Sequence, residues 1–346
     1  MTRIRFNRVQ GFRHWSVTLS VLLASTALFP TSKYFQASGP RVVKAPAQDP
    51  LLPERLNHLI TKLERGEIIA GGNVRAGSRE RAPSTWDFVW IDMEHTGFDL
   101  PGLEVTLQFL LDRRQILAAG TLAPTVVPIV RIPAYGREAP DWMVKQVLDY
   151  GAFGILFPHT STVEQARRIV RAARYPQARG AATSHPELSG LRGTAPGAAM
   201  RWWGIPTIEQ YHSRAGVWPL DPDGEIMTWI MIENVEGLRN LPHILEQIPV
   251  AAVIAAEVDM STSMGLPGQR FHPEVEAAMD EILSVSKEHG VAVGGLVTRD
   301  NVAERVRKGW QVLLTGDAET IAIARQTQAE IRRQEDRGRD SERSFP

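Results

Sequence analysis

The chain of 346 residues contains no cysteine, which excludes disulfides, thiolate metal sites and a cysteine nucleophile together. Any metal must therefore sit on carboxylates or imidazoles, and the lack of thiols suits an oxidising compartment. Net charge is also missing. Lys plus Arg and Asp plus Glu balance at 39 each, so no overall field draws the protein to nucleic acid, and function has to be sought in a local site. No Gly-x-Gly-x-x-Gly follows the first strand-like run, which removes the main sign of a dinucleotide fold. The apolar run from Ser16 to Phe29 is too short for a comfortable membrane span.

The composition that remains is ordinary for a globular protein, with 43% hydrophobic and 23% charged residues. No acidic residue precedes Asp49, while Arg3, Arg5, Arg8 and Arg13 precede the apolar run. A basic start followed by a short apolar run is the pattern of a secretory signal peptide, with small-x-small cleavage sequences at Ser25-Thr26-Ala27 and Ala45-Pro46-Ala47. Export to a periplasmic or extracellular compartment is the expectation; an uncleaved membrane anchor and an organelle transit peptide are the rival readings. Residues 1–48 are set apart as targeting segment and linker, 49–330 as the folded domain and 331–346 as a charged tail.

From Leu51 onward, short β-branched runs alternate with amphipathic stretches. The runs are Ile68–Val74, Phe88–Glu94, Val126–Ile132, Gly154–Pro158, Trp229–Asn234, Ala251–Glu257, Val291–Val297 and Val312–Gly316. Helical patterns fall between most of them, over Asp141–Tyr150, Thr162–Ala173, Glu236–Gln247, Pro273–His289 and Asp300–Lys308. Strict alternation implies a parallel sheet covered by helices, and eight units in about 280 residues match an α/β fold of the closed (β/α)₈ TIM-barrel kind. The longest interruption, Arg174 to Thr228, is rich in Gly, Pro and Trp and is expected to cover an active site or meet another subunit.

In such a barrel the chemistry belongs to the C-terminal ends of the strands. The second run ends in Asp92-Met93-Glu94-His95, the third in Val130-Arg131, the fifth in Glu233-Asn234 and the sixth in Glu257-Val258-Asp259. An ion pair at a strand end explains any one of these; four neighbouring rims together point to a site. Glu233 and Asp259 come from adjacent strands, and two converging carboxylates repel unless a cation lies between them or one is protonated. Oxygen ligands favour a hard ion, Mg²⁺ or Mn²⁺, and two of them leave positions open for water and a chelating substrate. An unperturbed imidazole titrates near ~6.5, so His95 suits proton transfer, with a structural histidine as its alternative. The planar fork of Arg131 suits a substrate carboxylate, with a rim salt bridge as its alternative.

From about Leu51 to Gln326 the chain resembles the 4-hydroxy-2-oxoheptanedioate aldolase and citrate lyase β-subunit family of metal-dependent pyruvate aldolases. The resemblance rests on Ile91-Asp92-Met93-Glu94-His95, Val130-Arg131, Lys145-Gln146-Val147-Leu148-Asp149, Arg174-Tyr175-Pro176, Gly190-Leu191-Arg192-Gly193, Ile232-Glu233-Asn234 and Asp259-Met260-Ser261-Thr262-Ser263-Met264-Gly265, in order and spacing. It implies a lyase that joins or splits a 2-oxo acid such as pyruvate and an aldehyde. It also implies Glu233 and Asp259 as ligands of a divalent metal, with Co²⁺ or Zn²⁺ as further options. Arg131 and Ser261 would contact substrate, and His95 with Asp149 would form the proton-handling dyad. A homo-hexamer exchanging C-terminal helices follows from the same resemblance, with Ile321–Glu330 as the exchanged piece. The sequence departs from the family in three places. Ile132 to Val144 is longer than usual, Tyr211 to Glu225 looks inserted, and Ala256-Glu257 replaces the usual Gly-Pro. An extra carboxylate at Glu257 is expected to face the metal or perturb the pyruvate pocket. A non-catalytic carboxylate-binding barrel and a CoA-ester lyase of the same superfamily stand as alternatives.

Overall fold

The computed structural model describes residues 49–134, 141–177, 179 and 185–343. The expected targeting segment (1–48) and the Tyr135–Glu138 part of the long connection lie outside the described residues. Parallel strands β1 (Ile69–Arg75), β2 (Phe88–Asp92), β3 (Val127–Arg131) and β4 (Gly154–Phe157) lie side by side; a two-residue strand, β5 (Val217–Trp218), precedes β6 (Ile226–Ile232) in the chain. Strands β7 (Ala252–Ala255), β8 (Ala292–Leu296) and β9 (Val312–Leu314) complete the ring. Pairing of β1 with β9 and of β4 with β6 closes it, while β5 hangs on the outer edge of β6. The result is the (β/α)₈ barrel expected from the alternation of runs.

The strands form where they do because both their faces are covered. β3 (VPIVR) and β6 (IMTWIMI) are buried at every position, which is why they read as unbroken apolar runs rather than alternating ones. Close approach of backbones demands glycine in places. A Cβ at Gly294 in β8 would overlap the Val312 carbonyl of β9.

The covering helices are α1 (His58–Glu64), α2 (Leu100–Leu110), α3 (Arg113–Ala119), α4 (Asp141–Asp149) and α5 (Val163–Ala173), then α6 (Gly197–Trp203), α7 (Ile208–Arg214) and α8 (Val235–Gln247). The last four are α9 (Glu257–Ser263), α10 (Pro273–Glu288), α11 (Val302–Lys308) and α12 (Ala318–Arg343). Local chemistry sets several of their starts: α5 begins at a reciprocal capping box between Thr162 and Gln165, and α8 at Asn234, whose side chain accepts from the Gly237 amide. Helix α12 continues through the stretch set apart as a tail and bonds to its own barrel, Gln328 bridging the Ile68 amide and the Gly66 carbonyl.

The long segment between α5 and β6 corrects one expectation. Its described part is neither wholly irregular nor placed over the catalytic end: it carries α6, α7 and β5. Trp203 stacks on Phe153 at 4.4 Å and donates to the Gly151 carbonyl, so α6 packs where β4 begins. Fully buried Glu225 accepts from the Leu56 and Asn57 amides beside α1, at that same end.

Candidate active site at the barrel mouth

Strand register sets Arg75, Asp92 and Arg131 in one row at the ends of β1, β2 and β3. Arg131 donates from Nε and Nη2 to the two oxygens of Asp92, at 3.0 and 2.8 Å. Its Nη1 lies 3.3 Å from Glu94 Oε2, and its guanidinium stacks 4.7 Å from the centroid of the Trp90 ring. Burial opposes ionisation of Asp92, but the hydrogen bonds and charge of Arg131 outweigh it and hold the carboxyl below its ordinary value. Arg131 is thus locked in one orientation before any ligand arrives.

Glu233, just past β6, is the most perturbed acid of the mouth. Burial, opposed by His159 and reinforced by the charges of Asp259 and Glu94, pushes its carboxyl up to about 7. Burial also raises Glu94, against the pull of Arg131, His95 and His159. His159 donates its backbone N–H to Glu233, and its Nδ1 lies 3.5 Å from Glu233 Oε1. It is the one non-glycine residue with positive φ (54°) among the described residues, a conformation that costs free energy and recurs at functional sites. Asp259, in the first turn of α9, is exposed. A buried carboxylate facing two others is what a cation would relieve. Among the described residues no three His, Cys, Asp or Glu groups close round one point. Glu233 and Asp259, close enough for their charges to act on one another, are oxygen donors of the kind a hard divalent ion takes.

The remaining expected residues divide. His95 lies at the mouth, with 65% of its side chain exposed and Nε2 3.4 Å from Glu94 Oε2. Ser261 is fully buried and its hydroxyl donates to the Val258 carbonyl within α9. Asp149 ends α4, shortly before β4 begins, whereas His95 follows the end of β2; within one chain they occupy opposite ends of the barrel. Asp149 instead accepts from Arg192 at 3.0 Å, and Arg192 also donates to the Tyr211 hydroxyl. Glu257 lines the same cavity as His95, Arg131 and Asp259. Its pKa is raised by burial, and the charges acting on it are those of Arg270, Arg305 and Glu276 rather than of Glu233 or Asp259. Arg270 Nη1 lies 3.8 Å from its Oε1. His159 was missed; its position directly after Pro158 at the exit of the fourth run was the signal that could have found it.

A cavity of about 220 Å³ opens among these groups, lined on its polar side by His95, Arg131, Glu257 and Asp259 and floored by Leu156, Met231 and Ile254. It is large enough for a small acid and a partner, and its apolar floor excludes water from one side.

The sequence model of the HpcH/HpaI aldolase/citrate lyase family matches residues 78–316. A hydroxypyruvate/pyruvate aldolase of Roseobacter denitrificans is 30% identical over 277 residues, covering 79% of this chain and 92% of the relative. A 4-hydroxy-2-oxo-heptane-1,7-dioate aldolase of Shigella sonnei is 30% identical over 250 residues, or 72% of this chain and 82% of the relative. Among solved structures, a HpcH/HpaI aldolase/citrate lyase family protein from Burkholderia cenocepacia superposes with a TM-score of 0.59 at 25% identity, over 80% of this chain and 99% of that one. With the barrel, the mouth carboxylates and the preset arginine already in place, these likenesses make the chain a member of the HpcH/HpaI aldolase/citrate lyase family and a carbon–carbon lyase of the pyruvate-aldolase type.

Proposed function

We propose that the chain is a divalent-metal-dependent aldolase that joins and splits 4-hydroxy-2-oxo acids, one fragment being pyruvate or a close 2-oxo acid and the other an aldehyde. The observation that carries this reading is the buried Glu233 carboxyl, raised to about 7 at a mouth it shares with Asp259 and with an Arg131 already locked by Asp92. The names of the relatives, which act on hydroxypyruvate or pyruvate and on a 4-hydroxy-2-oxo dioate, support the substrate class.

Glu233 and Asp259 would hold the ion, Mg²⁺ or Mn²⁺ by their oxygen donors. When bound, such an ion supplies Lewis-acid stabilisation of the negative charge that develops on the 2-oxo acid. Arg131 holds the substrate carboxylate in one pose, because its own rotation is blocked by Asp92 below and Trp90 beside it. His95, at the open side of the cavity, exchanges a proton with the aldehyde oxygen as the bond forms or breaks. Leu156, Met231 and Ile254 keep water from the carbanion face. The basic and then apolar start of the chain supports export, and the family resemblance supports a homo-hexamer.

The test is retro-aldol cleavage of a panel of 4-hydroxy-2-oxo acids by the purified protein with Mg²⁺, Mn²⁺, Co²⁺, Zn²⁺ or a chelator. It should be run beside exchange of the pyruvate methyl protons with solvent. Cleavage and exchange that persist undiminished in excess chelator would refute the metal role; absence of both with every metal would refute the aldolase reading.

A further inference from the structure

If the reaction is as proposed above, the aldehyde carbonyl meets the 2-oxo acid beside His95, and the rest of the aldehyde has two ways to go. Towards α10 and α11 the wall carries Glu257, and the cations there are already matched. Arg270 pairs with Glu257, Arg305 takes both oxygens of Glu276 at 2.9 and 2.7 Å, and Lys308 bonds to Asp280 and Glu304. An anionic group turning that way would meet cations already paired with carboxylates and no free partner.

On the other side His95 also lines a second cavity, of about 300 Å³, bounded by Arg75, Ala76, Thr96, Gly97 and Asp99. His95 is therefore the wall shared by the site cavity and this one. Arg75 ends β1 and is exposed; among the described residues its guanidinium makes no ion pair or hydrogen bond. The register Arg75–Asp92–Arg131 places it on the same face of the sheet as the arginine assigned to the 2-oxo acid, with Asp92 between them committed to Arg131. The other charge of that cavity, Asp99, is engaged as the cap of α2, accepting from the Gly102 amide at 2.9 Å.

We propose that Arg75 determines aldehyde specificity by receiving a terminal carboxylate of the acceptor, which passes His95 and lies in the Arg75 cavity. One guanidinium offers two parallel donors to a planar carboxylate. A phosphate dianion fits less well, because a single arginine leaves charge uncompensated beside Asp99. The two ends of the product are then read by two arginines of one rim row: Arg131 takes the 2-oxo acid end and Arg75 the far end.

The experiment is steady-state aldol addition of pyruvate to succinate semialdehyde and to butanal, its uncharged counterpart of equal chain length. Wild type, Arg75→Ala and Arg75→Lys are compared with metal present, and pyruvate methyl-proton exchange is recorded in parallel. A charged hydrogen-bonded contact is commonly worth about a tenfold effect or more. The ratio of kcat/KM for semialdehyde over butanal should therefore fall about tenfold or more in Arg75→Ala, mainly through KM, and recover in part in Arg75→Lys. Raised salt should shrink the wild-type ratio towards that of Arg75→Ala. If exchange and addition proceed but the ratio is the same in wild type and Arg75→Ala, the Arg75 assignment is overturned while the aldolase reading stands. If no protein exchanges the pyruvate protons, the aldolase reading falls and takes this assignment with it.

Discussion

Replacing Glu233 with Gln, which keeps the shape and an acceptor oxygen but removes the charge, should make the metal-free barrel more stable at pH 8 and have a much smaller effect at pH 5. Burial, with repulsion from Asp259 and Glu94, carries this carboxyl from 4.5 to about 7 in the folded chain. Because the folded value lies above the unfolded one, the fold favours the protonated form. Below about 4.5 the residue adds no pH dependence; stability then falls as pH rises and levels off above about 7. The full effect is about 3 kcal/mol against the wild type at pH 8, and Gln removes it. In a chain of this size that is several degrees in Tm. Chemical denaturation at pH 5 and pH 8 in chelator measures the difference between the two proteins directly. Adding Mn²⁺ at pH 8 should stabilise the wild type, since an ion that binds only the folded state acts by mass action, and should do little for the variant. The reasoning is refuted if Glu233→Gln loses stability between pH 5 and pH 8 as steeply as the wild type, or gains as much from Mn²⁺.

His95→Ala should lower turnover by ~10²–10⁴ while metal affinity, read by calorimetry, changes little, because general acid–base help resides in the imidazole and the ion is held elsewhere. Asp149→Ala should act on stability: it leaves the fully buried Arg192 side chain without its carboxylate, a loss of about 3–5 kcal/mol in a denaturant titration. A variant of full stability with an altered pH–rate profile would instead restore Asp149 to the proton-handling dyad. Glu257→Ala should leave the Mn²⁺ dissociation constant within about twofold, since that carboxylate faces Arg270, and an affinity drop of about tenfold would place it at the ion.

Sequence alone determined the barrel, the strand exits and the residue types gathered on the rim. Strands covered on both faces must be apolar throughout, and helices that cover them must be amphipathic, so the alternation is written in local composition. The rim acids and Arg131 were legible for the same reason, because polar residues directly after an apolar run have only the strand end to occupy. What the sequence could not decide was direction. Asp149 and His95 both sit in recognisable motifs, yet a helix runs back along the barrel, so α4 delivers Asp149 to the end opposite His95 and into the hands of Arg192. Glu257 stands two residues before Asp259, yet the start of α9 turns it towards Arg270. Arg75 gives no motif at all. Only the parallel pairing of β1 with β2 and of β2 with β3, in this register, brings an unpaired guanidinium into the row of Asp92 and Arg131. Composition and period record which surfaces a segment needs to bury; they carry no record of which distant side chain will answer a charge, and that is decided when the strands close.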